Sequence, residues 1–164
     1  MVAWSRCPAA HALPGWAACF GGAIWYPKNT RPPHYRNREE HTRKTPRQDR
    51  WQGSAHLKHW SSIYPDEVEQ LATQQADILI THEAPGYHMH GFAELDALAR
   101  RMGVRMTVHG HQHDNLDSSA HWPAQGFQSF GVGLRGVMAF DTQGQVRTVV
   151  AGVLDEARAG REKR

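Results

Sequence analysis

The sequence predicts an α/β fold that contains a strand–helix–strand unit and ends in a β-hairpin. Two short apolar runs, Asp77–Thr81 and Val104–Val108, have the length and composition of buried strands. Between them, apolar residues recur at helical spacing from Phe92 to Met102, with acidic residues early and arginines late in the segment. Because parallel strands need a crossover connection, we expect a right-handed βαβ unit here.

The segments before this unit differ sharply in composition. The stretch Leu13–Pro27 is rich in small and aromatic residues and contains a Gly21–Gly22 pair, which favours a buried strand that bends. Residues 28–62 carry nine Lys or Arg against three acids, hence a charge of +6 within a chain of net charge +3. Prolines and weak apolar periodicity predict a long basic loop there. Pro65 then opens a short helix, because proline suits the first helical position.

Two further strands are expected near the C-terminus. The runs Gln128–Phe140 and Gln145–Leu154 have strand-like composition, and residues 141–144 suit a turn between them. Together they predict a C-terminal β-hairpin. Residues 156–164 are charged and predict a frayed tail. With 164 residues, the chain has the length of a single domain, residues 1–164, built around one core.

Composition also limits the compartment and the partners. No apolar run is long enough to cross a bilayer, so no membrane partner is expected. Prolines and a histidine interrupt the apolar N-terminus, which disfavours a signal peptide. Cys7 and Cys19 lack the spacing of a thiolate metal site and are interpreted as two buried, reduced thiols. The sequence therefore predicts a cytoplasmic protein.

Three of the twelve histidines lie where predicted strands end. His82 follows the first strand of the βαβ unit, and His111 and His113 follow the second. Side chains at the carboxyl ends of parallel strands meet at one edge of the sheet, and neutral imidazole is the commonest metal ligand. Gly110 is expected to allow the sharp turn before His111. Spacing alone leaves a shared metal site and solvated surface histidines about equally open.

The residues Ile-Leu-Ile-Thr-His-Glu-Ala-Pro and Val-His-Gly-His-Gln-His resemble the last two motifs of the calcineurin-like metallophosphoesterases. The resemblance covers roughly residues 76–155. It implies a partial metallophosphoesterase-type α/β/β/α sandwich and hydrolysis of phosphoric esters by a metal-bound hydroxide. It also implies a centre of two divalent transition metals (Mn, Fe, Zn or Ni), with His82 and His111 on one metal and His113 on the other.

The family's earlier motifs do not occur in this chain. Asp-x-His, Gly-Asp-x-x-Asp and Gly-Asn-His-Asp/Glu are all absent, and no aspartate precedes Asp49. Three imidazoles can hold one ion, but carboxylates normally offset the charge of a two-metal cluster. We therefore expect one metal rather than two, and assign no catalytic residue. The chain is expected to lack the N-terminal part of the domain, as a fragment, a degenerate homologue or one part of a complementing assembly. An exposed sheet edge would then favour self-association.

Several other polar residues are candidates for secondary roles. His88, His90 and Arg135 are candidates for contact with a phosphoester substrate, with solvated loop residues as the alternative interpretation. His109 is expected to point away from His111, because neighbouring strand residues alternate faces. The acidic residues near the histidines either orient the ligands or cap turns; these are Glu83, Asp114 and Asp117.

A rival hypothesis rests on the basic segment. Its positive charge is interleaved with Tyr35, Trp51 and Trp60, as in proteins that bind nucleic acid through phosphate contacts and base stacking. No known nucleic-acid-binding motif accompanies these residues. Nucleic acid is therefore the less favoured partner.

Overall fold

A computed structural model describes residues 2–4, 20, 24–26, 31–140 and 145–157. Its main sheet has four strands in the order β1-β2-β3-β4. Strand β1 is antiparallel to β2, whereas β2, β3 and β4 run parallel to one another. The strands are β1 (Val2–Trp4), β2 (Ile78–Thr81), β3 (Met106–His109) and β4 (Gln128–Gly131).

The predicted strand–helix–strand order with parallel strands is confirmed, and the right-handed crossover stays a prediction. Helix α3 (Ala93–Arg101) connects β2 to β3, which pair in parallel with Thr81 beside His109. The helix ends as predicted at Gly103, which has a φ of +67° that glycine adopts without strain. The Val104 N–H donates to the Ala99 carbonyl at 2.9 Å, so the helix end is closed by the six-to-one hydrogen bond of a Schellman motif.

Helix α2 (Pro65–Leu71) also confirms its prediction, since Pro65 is its first residue. The Tyr64 N–H donates to the Glu67 carboxylate at 2.8 Å, which satisfies a backbone group that the helix itself leaves open. A four-residue helix, α4 (Trp122–Gln125), precedes β4 and ends at Gly126.

The prediction of one long loop over residues 28–62 was wrong for part of that range. It contains helix α1 (Arg38–Lys44) and two 3-10 turns, at Arg47–Asp49 and Leu57–His59. Helix α1 is fixed by polar contacts that apolar periodicity does not reveal. The Asn37 side chain accepts from the Glu40 N–H at 2.8 Å, and the Lys44 ammonium pairs with the Glu40 carboxylate at 2.8 Å.

The predicted single strand over Gln128–Phe140 is two strands in two different sheets. Strand β4 ends at Gly131, and β5 (Val137–Phe140) pairs antiparallel with β6 (Val146–Val150), so the predicted C-terminal hairpin is confirmed. Between β4 and β5 the chain turns at Arg135, which has a φ of +60°. Other predictions lie outside the described residues: the turn at 141–144, the Gly21–Gly22 bend, both cysteines and residues 158–164 of the tail.

The core lies on one face of the main sheet. Leu79 of β2 and the apolar side of α3 are fully buried there, together with Phe20, Trp25 and Tyr64. On the other face, Val108 and Phe130 are only half-buried and line an apolar cavity against the β5–β6 hairpin. No helix in the described part of the chain has the length and apolar character needed to span a membrane.

Candidate metal centre

The candidate site forms where β2 and β3 end. Because Thr81 and His109 are paired in register, the residues that follow them leave the sheet side by side. The His111 N–H donates to the His82 carbonyl at 2.8 Å, and the Gly110 N–H lies 3.3 Å from the same oxygen. The two backbone segments are therefore fixed against each other at the point where the predicted ligands begin.

Three side chains converge at this point: His82, Glu83 and His111. Their candidate ligand atoms all lie within 4.8 Å of one another. The His111 Nδ1 lies 2.7 Å from the His82 Nε2, a distance at which one ring nitrogen donates to the other. A tetrahedral ion with bonds near 2.0–2.1 Å requires these nitrogens about 3.3 Å apart. If the His82 and His111 rings move apart by about 0.6 Å, their nitrogens reach the spacing that a tetrahedral ion requires.

Glu83 is the member whose ligand role sequence analysis missed. The structure places its carboxylate beside both imidazoles, with only 6% of the residue exposed. One carboxylate oxygen accepts from the Phe20 N–H at 2.9 Å, which holds the carboxylate in place beside the imidazoles. The position directly after a strand-end histidine was the available signal. Residue type alone could not distinguish a ligand from a turn cap.

His113 does not lie in this group. It is exposed and has a φ of +55°, and its carbonyl accepts from the Leu134 N–H at 3.3 Å. Its role as the ligand of a second metal stays a prediction. The chain turns at Gly110, whose carbonyl accepts from the His113 N–H at 3.0 Å, but this turn does not require glycine, because Gly110 has no positive φ and a Cβ there would meet no atom within 4 Å. The left-handed residue is His113.

The candidate substrate residues lie in different environments. His88 is buried: its Nε2 lies 3.5 Å from the Asp114 carboxylate, and its Nδ1 accepts from the His90 N–H at 3.1 Å. The side chains of His90 and Arg135 are exposed. Substrate contact by these three residues stays a prediction. Asp117 caps a turn by accepting from the Ser119 N–H at 2.9 Å, a bond that lowers the pKa of its carboxyl.

His109 points away from the cluster, as alternation along the strand predicts. It is 2% exposed, and its Nε2 lies 2.8 Å from the Tyr87 hydroxyl. Burial, reinforced by nearby His88, lowers the pKa of His109 to about 4. His109 is therefore a neutral, buried residue at the end of β3, whereas His82 and His111 are partly open to solvent.

The aromatic residues of the basic segment mostly pack against protein. Tyr35 stacks on His41 with ring centroids 4.0 Å apart, and Trp51 meets Trp60 edge to face at 4.7 Å. The Arg38 guanidinium donates to the Ser62 carbonyl at 2.8 Å and lies over the Tyr64 ring. These contacts give the segment a structural role, and nucleic-acid binding stays an untested hypothesis.

Comparison with known proteins gives little further information. No family model matches the chain, and no solved structure matches it. An uncharacterized protein of Haemophilus influenzae is 38% identical over 111 residues, which make up 68% of this chain and 48% of that protein. The chain thus spans about half the length of the curated relative that it matches.

Proposed function

We propose that this chain carries part of a calcineurin-like metallophosphoesterase centre, in which His82, Glu83 and His111 bind one divalent transition metal ion. The observation that carries the proposal is the convergence of these three side chains at the ends of two parallel strands. The resemblance of the same two segments to the family's last two motifs adds the reaction: hydrolysis of phosphoric esters.

The donor set suits this chemistry. Two neutral imidazoles and one carboxylate form a ligand set that Zn²⁺ and Fe²⁺ accept in proteins, and the set leaves coordination positions open. A bound ion would supply a hydroxide nucleophile near neutral pH and polarise a phosphoryl oxygen. With one carboxylate against a charge of +2, the loaded site keeps net positive charge, which favours an anionic phosphoester.

The arrangement of His82, Glu83 and His111 suits a metal ion that is accessible to substrate. The half-buried His82 and exposed His111 present an accessible edge where a substrate approaches. The hydrogen bond from the Phe20 N–H restrains the Glu83 carboxylate beside the two imidazoles. A second metal would need His113 and further carboxylates, and the family's aspartate motifs do not occur here. We therefore expect one ion per chain.

Metal titration tests the ligand assignment. Isothermal titration calorimetry with Mn²⁺ and Zn²⁺ should give about one ion per wild-type chain. His111→Ala and Glu83→Gln should each weaken binding by more than the roughly 10- to 100-fold that loss of an outer-sphere partner costs. His90→Ala is the matched control, because His90 is an exposed histidine outside the cluster. Equal affinity of wild type and His111→Ala would show that the assignment is wrong.

The absent aspartate motifs favour a second candidate, a metal-binding homologue without efficient catalysis. Hydrolysis of p-nitrophenyl phosphate with added Mn²⁺ separates the two candidates. Turnover that His111→Ala abolishes supports the esterase. Metal binding without turnover supports the incomplete homologue.

A further inference from the structure

A part-buried hydrogen bond joins the loop that follows β2 to the last residue of β3. The Tyr87 hydroxyl, on the loop after β2, lies 2.8 Å from the His109 Nε2 at the end of β3. His109 is 2% exposed, and its ring packs close to Gly131, where an added Cβ would lie 3.1 Å from the His109 Cε1. With little free volume around the ring, the hydrogen bond fixes both its position and its rotation.

Tyr87 is itself held by a rigid loop. The Gly86 N–H donates to one Asp96 oxygen at 2.9 Å, and the Gln125 amide donates to the other at 2.8 Å. Asp96 lies in α3, so the loop is tied to the core helix immediately before Tyr87. The backbone next to Tyr87 is therefore held in place, and so is the hydroxyl that contacts His109.

His109, the other partner of this hydrogen bond, is close in sequence to the candidate metal centre. From His109 the chain passes through Gly110 to His111, whose N–H donates to the His82 carbonyl. Because only Gly110 separates His109 from His111, a movement of the His109 ring is expected to change the approach of His111 toward His82.

We propose that Tyr87 is a positioning residue of the metal centre, whose hydrogen bond to His109 holds His111 in register with His82. The proposal rests on the metal site proposed above, and it adds a residue that touches neither the metal nor a ligand side chain. Outer contacts of this kind orient ligands and change metal affinity by about 10- to 100-fold.

Removal of one hydroxyl group tests the proposal. Tyr87→Phe should raise the Zn²⁺ dissociation constant by about 10-fold or more. The matched control is Tyr26→Phe, which deletes the hydroxyl of another tyrosine–histidine pair, an exposed one with His34 at 3.1 Å. The control should leave the dissociation constant within about twofold of wild type, as expected for an exposed hydrogen bond that involves no residue of the cluster.

A second measurement separates positioning from general stability. In metal-free protein, the imidazole ¹⁵N resonances of His82 and His111 should shift in Tyr87→Phe and not in Tyr26→Phe. A lower melting temperature with unchanged resonances and unchanged metal affinity would overturn the proposal. If wild type binds no Zn²⁺, the proposed function fails, and the resonances alone then decide whether Tyr87 positions His111.

A further pair of variants covers the case in which Tyr87→Phe does not fold. His109→Gln keeps a side chain that can hydrogen-bond to Tyr87, whereas His109→Leu removes that ability at similar volume. The glutamine variant should retain metal affinity more closely than the leucine variant. Equal losses in both variants would count against the hydrogen bond as the cause.

Discussion

Histidines of this chain occupy two kinds of environment that differ in solvent access. The edges of His82 and His111 reach solvent at the candidate centre, whereas His41 and His109 are buried within the protein. Burial lowers the pKa of both buried rings to about 4, with the positive charge of nearby histidines as a further cause. These two residues act as neutral hydrogen-bonding groups at physiological pH.

The buried His41 predicts a loss of stability in weak acid. Its Nδ1 lies 2.8 Å from the Tyr64 hydroxyl, and its folded pKa of about 4 is below its ordinary value of 6.5. Between those pH values His41 is protonated in the unfolded chain but remains neutral in the folded chain. The free energy of unfolding should therefore fall as pH falls from 6.5 to 4, by at most about 1.4 kcal/mol per pH unit from this group.

Urea denaturation at pH 7 and pH 5 checks this prediction. His41→Gln should be less stable than wild type at pH 7 but should lose less stability between the two pH values. His90→Gln, at an exposed position, should follow the wild-type pH profile. An unchanged pH profile in His41→Gln would contradict the assigned cause.

At the scale of an element, the loop between β2 and α3 depends on a close approach of its two ends. The Phe92 N–H donates to the Ala84 carbonyl at 3.0 Å, and the Gly91 N–H donates to the His88 carbonyl at 2.9 Å. A Cβ on Gly91 would lie 1.8 Å from the Pro85 carbonyl oxygen, a position that backbone atoms already occupy. Only glycine fits there without movement of the loop.

Gly91→Ala should therefore lower the free energy of unfolding by about 1–3 kcal/mol, the usual range for overpacking. Gly110→Ala is the matched control, because a Cβ at Gly110 meets no atom within 4 Å and its φ is not positive. The control should be neutral or raise stability by about 0.4–1 kcal/mol. Chemical denaturation of both variants gives the comparison, and equal losses would contradict the steric explanation.

At the scale of the whole molecule, the β5–β6 hairpin presents apolar side chains to solvent. Phe140 is 43% exposed and Val137 is 49% exposed, and three valines nearby in sequence are similarly accessible: Val149, Val150 and Val153. Among the described residues, no further strand pairs with the outer edges of β5 and β6, and such edges can pair with another chain. Self-association through this region is consistent with these features and stays a prediction.

Phe140→Lys should reduce such association, because lysine on an edge strand opposes pairing with another copy. Sedimentation velocity over a range of protein concentrations should show wild type growing in average mass and the variant remaining nearer the monomer. Leu57→Lys is the control, since Leu57 is an apolar residue of a different segment that is 51% exposed. If both variants associate as wild type does, this surface is not the interface.

Local sequence signals determined the βαβ unit and the positions of its strand-end histidines. Short apolar runs and helical spacing predicted β2, α3 and β3 in the right order, and Gly103 marked the end of the helix, because each pattern depends on a few neighbouring residues. The same signals placed His82 and His111 at strand ends and turned His109 away from them. Helix α1 was missed because polar caps and stacked rings fix it rather than an apolar stripe.

Tertiary structure alone decided which side chains meet. Glu83 joined the candidate centre and His113 did not, because those outcomes depend on the loop conformations that follow the strands. The division of Gln128–Phe140 into β4 and β5 likewise depended on which strand each half could pair with. A periodic pattern specifies which face of an element is apolar. The partner of that face, and the distance between two loops, are set by contacts between residues far apart in the chain.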